Sequence, residues 1–433
     1  MMTSYHARKL FVFVRLWKSF ALSLLVLIFF SNAQASILSA AEYAFPYRDP
    51  LLATVLSAIN RATCPYETIY LTLHPERTNI AGLPQNPHVP MALFAQKDKV
   101  APLVFVIAGS GGDAKSGNAM LIASQLAALG YHAVTLPNPL SQSYLLGVSQ
   151  TGLPGYLPRD AHEYYNYLEQ VVGSLQNDSH LRISSFSVIG FSYGALLAGF
   201  LNQEDHRRQV FRFSKTVMIN PALDVEYGIQ ILDWYYSTGD SIYPQDKFNI
   251  FQKIHELIEA LRGRLPDTES TEAKYTEQQV ERLALDNTQL QWMIGSSFRD
   301  ALQEIIFTNQ QINRGTMLHA LTVDQRKKEA RRFSFSDYLR KFIAPGLGIS
   351  ERPAAMAAFW KAANFYALAP GLKADRGAYV MESQDDFLTQ PQDFSFLNRT
   401  FGKRLFLYPY GGHTGNLRFK RNRDDLAAIM AAP

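Results

Sequence analysis

Short apolar runs alternate with longer amphipathic stretches along most of the chain, and the two periods predict strands and helices in turn. Residues 68–73 and 91–94 read as early strands. Residues 103–108 form an unbroken apolar run rich in β-branched side chains, the pattern of a strand covered on both faces. That run leads into Gly109-Ser110-Gly111-Gly112. Met120, Leu121, Ala123, Leu126 and Leu129 then recur at helical spacing, and Gly130 is placed to stop the helix. A strand at 133–136 precedes a loop rich in proline and glycine. Asp160 and Glu163 read as an acidic capping box for a helix over 161–175. Residues 185–189 and 215–220 are further apolar strands, with an Ala/Leu-rich helix between them. Repeated strand-helix-strand units predict an α/β fold: a mostly parallel sheet flanked by helices.

From 221 to 374 the pattern changes. No convincing strand occurs there; Phe251, Ile254, Ile258 and Leu261 recur at helical spacing, and 271–283 reads as a polar helix. Strands return at 378–381 and 404–408, followed by a helix at 424–430. A helical insertion therefore interrupts one α/β domain. The expected organisation is a core in two parts, 36–222 and 376–433, with a helical cap over 223–375.

The N-terminus carries a different pattern. Arg8, Lys9, Arg15 and Lys18 precede an apolar run at 20–30, which is followed by Ser31-Asn32-Ala33-Gln34-Ala35. This order predicts a signal peptide over 1–35, cleaved after Ala35, and a periplasmic or secreted product. The run is shorter than the roughly 20 residues that span a bilayer, so no stable membrane span is expected after cleavage. The alternative is a protein anchored in the membrane by an uncleaved signal.

Composition narrows the chemistry. A net charge of +4 on 433 residues, with no concentrated basic face, gives no reason to expect a nucleic-acid partner. Cys64 is the only cysteine, so neither an internal disulfide nor a multi-cysteine metal site is available. The chain has no His-Glu-x-x-His, and a zinc hydrolase lacks its motif. Nothing in the sequence fixes the oligomeric state.

The residues that suggest chemistry are Gly190-Phe191-Ser192-Tyr193-Gly194, set between an apolar strand and a helix. A serine on such a turn is held in a strained conformation, glycines at Gly190 and Gly194 give it room, and the Tyr193 N–H faces developing negative charge. Serine needs a base. His413 follows the last predicted strand through Pro409-Tyr410-Gly411-Gly412, a turn able to present its imidazole at the strand's C-terminal edge. An orienting acid belongs between the two in the chain. Asp385 is preferred, Asp386 is the alternative, and Asp224 is more distant.

Over residues 65–222 and 376–430 the sequence resembles the α/β-hydrolase family. The resemblance implies Ser192 as nucleophile, His413 as general base and then acid, and Asp385 fixing the imidazole tautomer. It further implies an oxyanion hole from the N–H groups of Tyr193 and Ser110, and no metal or organic cofactor. Many members carry His-Gly after the third strand, where this chain has Ala108-Gly109.

Two other readings compete. Residues 109–114 fit a dinucleotide fingerprint, but no acid ends the next strand at Leu136-Pro137-Asn138. The same loop nearly matches a P-loop, with Ala114 in the place of its second glycine. A non-catalytic, binding-only relative is the third class. On the hydrolase reading, the cap and the loop 137–159 overhang Ser192. Trp234, Tyr235, Tyr236, Phe359, Trp360, Phe365 and Tyr366 are candidates to line an acyl pocket, or else they pack the cap on the core. The expected substrate is a small-molecule ester, lipid or peptide. A carboxylesterase or lipase-like activity leads, with peptidase, amidase or thioesterase chemistry open to the same residues.

Overall fold

A computed structural model describes residues 39–97, 100–261, 285–350 and 352–432. The signal peptide expected over 1–35 and the polar helix expected over 271–283 lie outside the described residues. Among the described residues eight strands form one sheet: β1 (Glu67–Leu71), β2 (Val89–Phe94), β3 (Val100–Ile107), β4 (His132–Leu136), β5 (Arg182–Phe191), β6 (Lys215–Ile219), β7 (Ala378–Ser383) and β8 (Leu405–Tyr408). Their order is β1-β2-β4-β3-β5-β6-β7-β8. Strand β2 runs antiparallel to both β1 and β4, and every pairing from β4 to β8 is parallel.

The unbroken apolar run of β3 is explained by what covers it. Leu103, Phe105 and Ile107 face one layer, with α3 (Leu157–Asn177), α4 (Tyr193–Arg208) and α9 (Pro391–Phe401). Val104 and Val106 face the other, with α2 (Gly117–Ala128) and α10 (Lys420–Ala431). A strand buried on both faces cannot alternate polar and apolar residues.

Two local expectations are corrected. Helix α3 begins at Leu157, with a proline in its first turn, and not at Ala161. Asp160 and Glu163 thus lie within the helix and form no capping box; the Asp160 carboxylate accepts from the Gly155 N–H at 2.6 Å and Glu163 accepts from the Gln150 N–H at 2.6 Å. The final helix, too, begins earlier than expected, at Lys420.

Between β6 and β7 the described residues form helices and loops. They include α5 (Val225–Ser237), α6 (Pro244–Leu261), α7 (Asn287–Ile312) and α8 (Pro353–Ala363). Asp233 on α5 ties this layer together. It accepts from Arg299 of α7 at 3.0 Å, from the Phe335 and Ser336 N–H groups at 2.9 and 3.0 Å, and from the Ser336 hydroxyl at 2.8 Å. Among the described residues no helix is long and apolar enough to cross a membrane.

Candidate active site

Ser192 occupies the turn from β5 into α4, with φ 57° and ψ −129°. A non-glycine residue at positive φ costs roughly 1–3 kcal/mol, so the surroundings must impose it. They do. The Ser192 N–H donates to the Ile219 carbonyl of β6 at 2.9 Å. A Cβ on Gly190 would stand 1.9 Å from the Gly194 carbonyl oxygen, and one on Gly194 would stand 2.3 Å from that of Ala108. Both motif glycines are required by close backbone approach.

His413 reaches Ser192 from the loop after β8. Its Nε2 lies 2.8 Å from Ser192 Oγ, and its Nδ1 lies 2.7 Å from Asp386 Oδ2. A carboxylate can only accept, so Nδ1 carries the proton and Nε2 is left to accept from the serine hydroxyl. The loop is held from behind: the His413 N–H donates to Thr54 Oγ1 at 2.9 Å, on α1 (Pro50–Leu56). All three side chains are buried.

The carboxylate that meets the imidazole is Asp386 and not Asp385, the one preferred from the sequence. Asp385 accepts from the Gly412 and Gly411 N–H groups at 2.8 and 3.2 Å, so it braces the loop that carries the histidine and not the imidazole itself. Burial pushes its carboxyl above the usual range. After β7 ends at Ser383, the Asp386 N–H turns back to the Ser383 carbonyl at 3.2 Å, and Asp386 is the one aimed at His413. Asp224 is remote in role: it caps α5 by accepting from the Tyr227 N–H.

Two residues of this site escaped the sequence reading. The Asn220 amide donates to Asp386 Oδ2 at 2.9 Å and to Glu382 Oε1 at 2.7 Å. Glu382 is fully buried, its Oε1 also accepts from the Ser383 N–H, and its Oε2 has no hydrogen-bond partner. Burial, and then the neighbouring Asp386 carboxylate, push the Glu382 carboxyl well above the usual range.

Above the serine, the Tyr193 N–H at the start of α4 and the Ser110 N–H have no acceptor among the described residues. Ser110 and Ser192 line the same cavities. The loop of Ser110 is not built for phosphates: the Gly111 and Gly112 N–H groups donate to the carbonyls of Leu140 and Gly109 at 2.9 and 2.8 Å.

An apolar cavity of about 90 Å³ opens at Ser192, walled by Val225, Ile229 and Leu232 of α5 together with Phe298, Phe335 and Tyr338. None of the seven aromatics named from the sequence lines it. Trp234 is exposed, Phe365 is buried in the core, and Phe359 packs against Tyr156 and Trp360 in the helical layer. Deeper in the wall, Asp160 accepts from the Tyr193 hydroxyl at 3.4 Å, and burial pushes its carboxyl up to about 7.

The sheet order, the turn at Ser192 and the loop positions of Asp386 and His413 together define the architecture. It is an α/β-hydrolase fold. No family model and no curated protein matches the chain. Solved structures do. A fungal esterase structure from Rhizomucor miehei is similar at 13% identity and a TM-score of 0.42, over 88% of this chain and 87% of that one. A Pyrobaculum calidifontis esterase is similar at 16% identity and 0.40, over 88% of each chain. A bacterial membrane phospholipase A is similar at 12% and 0.38, over 95% of this chain and 98% of that one.

Proposed function

We propose that the protein is a serine hydrolase that cleaves a carboxylic ester through an acyl-enzyme. The observation that carries this reading is the unbroken relay from Ser192 Oγ to His413 Nε2 at 2.8 Å and from His413 Nδ1 to Asp386 at 2.7 Å. Ser192 Oγ attacks the carbonyl carbon as its proton passes to His413 Nε2. The carbonyl oxygen becomes an oxyanion facing the N–H groups of Tyr193 and Ser110. The carbon–oxygen bond to the alcohol then breaks, and the alcohol leaves with the proton from His413. Water repeats the sequence on the acyl-enzyme, losing its proton to His413 and releasing the acid and free Ser192.

The apolar cavity beside Ser192 favours an ester over a peptide, because a peptide needs polar partners for its backbone and this wall offers almost none. Turnover of p-nitrophenyl esters against aminoacyl amides tests the choice. Ester cleavage that disappears in Ser192→Ala is expected; amide cleavage without ester cleavage overturns it. The basic and apolar N-terminal pattern supports export, and a mature N-terminus at Ser36 is the expected result of sequencing the processed protein.

A further inference from the structure

Ser192 lies between two cavities, one almost wholly apolar and one that adds polar groups to a mainly apolar lining, and the chemistry of the leaving step says which half of an ester belongs in each. The apolar one is the smaller; besides Ser110 and Ser192 its lining is aliphatic and aromatic, and its two phenols, Tyr193 and Tyr338, donate away from it to Asp160 at 3.4 Å and to the Pro154 carbonyl at 2.7 Å. The second is a cleft of about 250 Å³ that includes His413, Thr414, Asn118, Ser57 and Ser297. Among the described residues the hydroxyls of Ser57 and Ser297 make no hydrogen bond and line the cleft.

Only the alcohol oxygen receives a proton from His413 Nε2, so the alcohol must lie on the side that the imidazole lines. His413 lines the cleft and is absent from the apolar cavity. We propose that the apolar cavity takes the acyl chain and the cleft takes the alcohol, and that the substrate class is a short- to medium-chain acyl ester of a hydroxyl-bearing alcohol. This assignment rests on the serine-hydrolase reading. The cleavage it describes is the same: the acyl carbon exchanges its bond to the alcohol oxygen for one to Ser192 Oγ, and the departing oxygen takes the proton.

Gly228 sets the acyl length. It sits in α5 on the cavity wall, where a Cβ would meet only Leu388 at an ordinary 3.7 Å. A larger side chain there has no backbone clash and enters the cavity. Ala58, which is exposed on the cleft side, is the matching position for the alcohol.

The test crosses two substrate series with two variants. The series are ethyl acetate, butyrate, octanoate and palmitate for the acyl side, and ethyl, butyl and glyceryl butyrate for the alcohol side, followed by acid release. Gly228→Phe is expected to move the optimum to shorter acyl groups, with a loss in kcat/KM of about fourfold for each methylene excluded. Its ratio of glyceryl to butyl ester should stay within about twofold of wild type. Ala58→Trp should do the reverse. Gly228→Ala, which helix propensity favours, gives the same direction with a smaller change if Phe disturbs folding. A fluorophosphonate probe is run on each protein. Labelled Ser192 with unshifted or crossed preferences overturns the compartment assignment alone, whereas an unlabelled and inactive wild type overturns the hydrolase reading and this inference with it.

Discussion

Two carboxyl groups behind His413 share one amide. Asn220 donates to both Asp386 and Glu382, and with Asp386 engaged by the histidine a second charge at Glu382 would be buried without a counter-ion. Burial and the Asp386 charge both favour the protonated form of Glu382, so the neutral isostere should serve as well. Glu382→Gln is expected to keep kcat/KM on a butyrate ester within about threefold of wild type. Glu382→Ala, which strands the Asn220 amide, should lose tenfold or more, about 1–3 kcal/mol of positioning. A second buried acid predicts a stability effect with a definite sign. Asp160 has its carboxyl pushed up to about 7, whereas an unfolded aspartate titrates near about 3.9. Between those values only the unfolded chain releases the proton, so the contribution of this group to stability is full below the lower value and lost as pH rises to the upper one. Asp160→Asn should remove that slope. Urea denaturation should place the variant's stability, relative to wild type, higher at pH 8 than at pH 4, by up to about 4 kcal/mol.

The elements differ in how plainly their sequences announced them. Strand β3 and the C-terminal halves of β5 and β6 could be read because burial on both faces favours runs of apolar residues, and the elbow because close backbone approach admits only glycine at Gly190 and Gly194. The acid could not be separated from its neighbour. Asp385 and Asp386 follow one strand end, and which of them meets the imidazole depends on a turn closed by one backbone hydrogen bond. Glu382 and Asn220 stayed hidden because a strand pattern carries no information about what lies beside it in the next strand. The seven cap aromatics misled for a related reason: helical spacing does not tell an inward-packing face from a cavity wall. The elbow itself makes a prediction. Ser192→Ala keeps the backbone at φ 57°, while Ser192→Gly relieves it. Both should be inactive, and thermal denaturation should show the glycine variant more stable than the alanine one by about 1 kcal/mol.

For the molecule as a whole, the sheet supplies the reacting groups and the helical layer supplies the shape around them. Asp233 is the joint of that layer, with four hydrogen bonds from Arg299, Phe335 and Ser336. Removing it leaves the buried Arg299 without its partner. Asp233→Ala should therefore destabilise the cap by about 3 kcal/mol, seen as faster amide exchange in α5 and α7 than in the sheet. Acyl selectivity should fall with it, since Val225, Ile229 and Leu232 on α5 form the cavity wall. The most direct measurement concerns the relay at the centre of the account: fluorophosphonate labelling with peptide mapping, in wild type and in the Asp385→Asn and Asp386→Asn variants. One adduct on Ser192 is predicted, formed about 10³–10⁴-fold more slowly in Asp386→Asn and less than tenfold more slowly in Asp385→Asn. No adduct on Ser192 in the folded wild type, or a larger loss from Asp385→Asn than from Asp386→Asn, would contradict it.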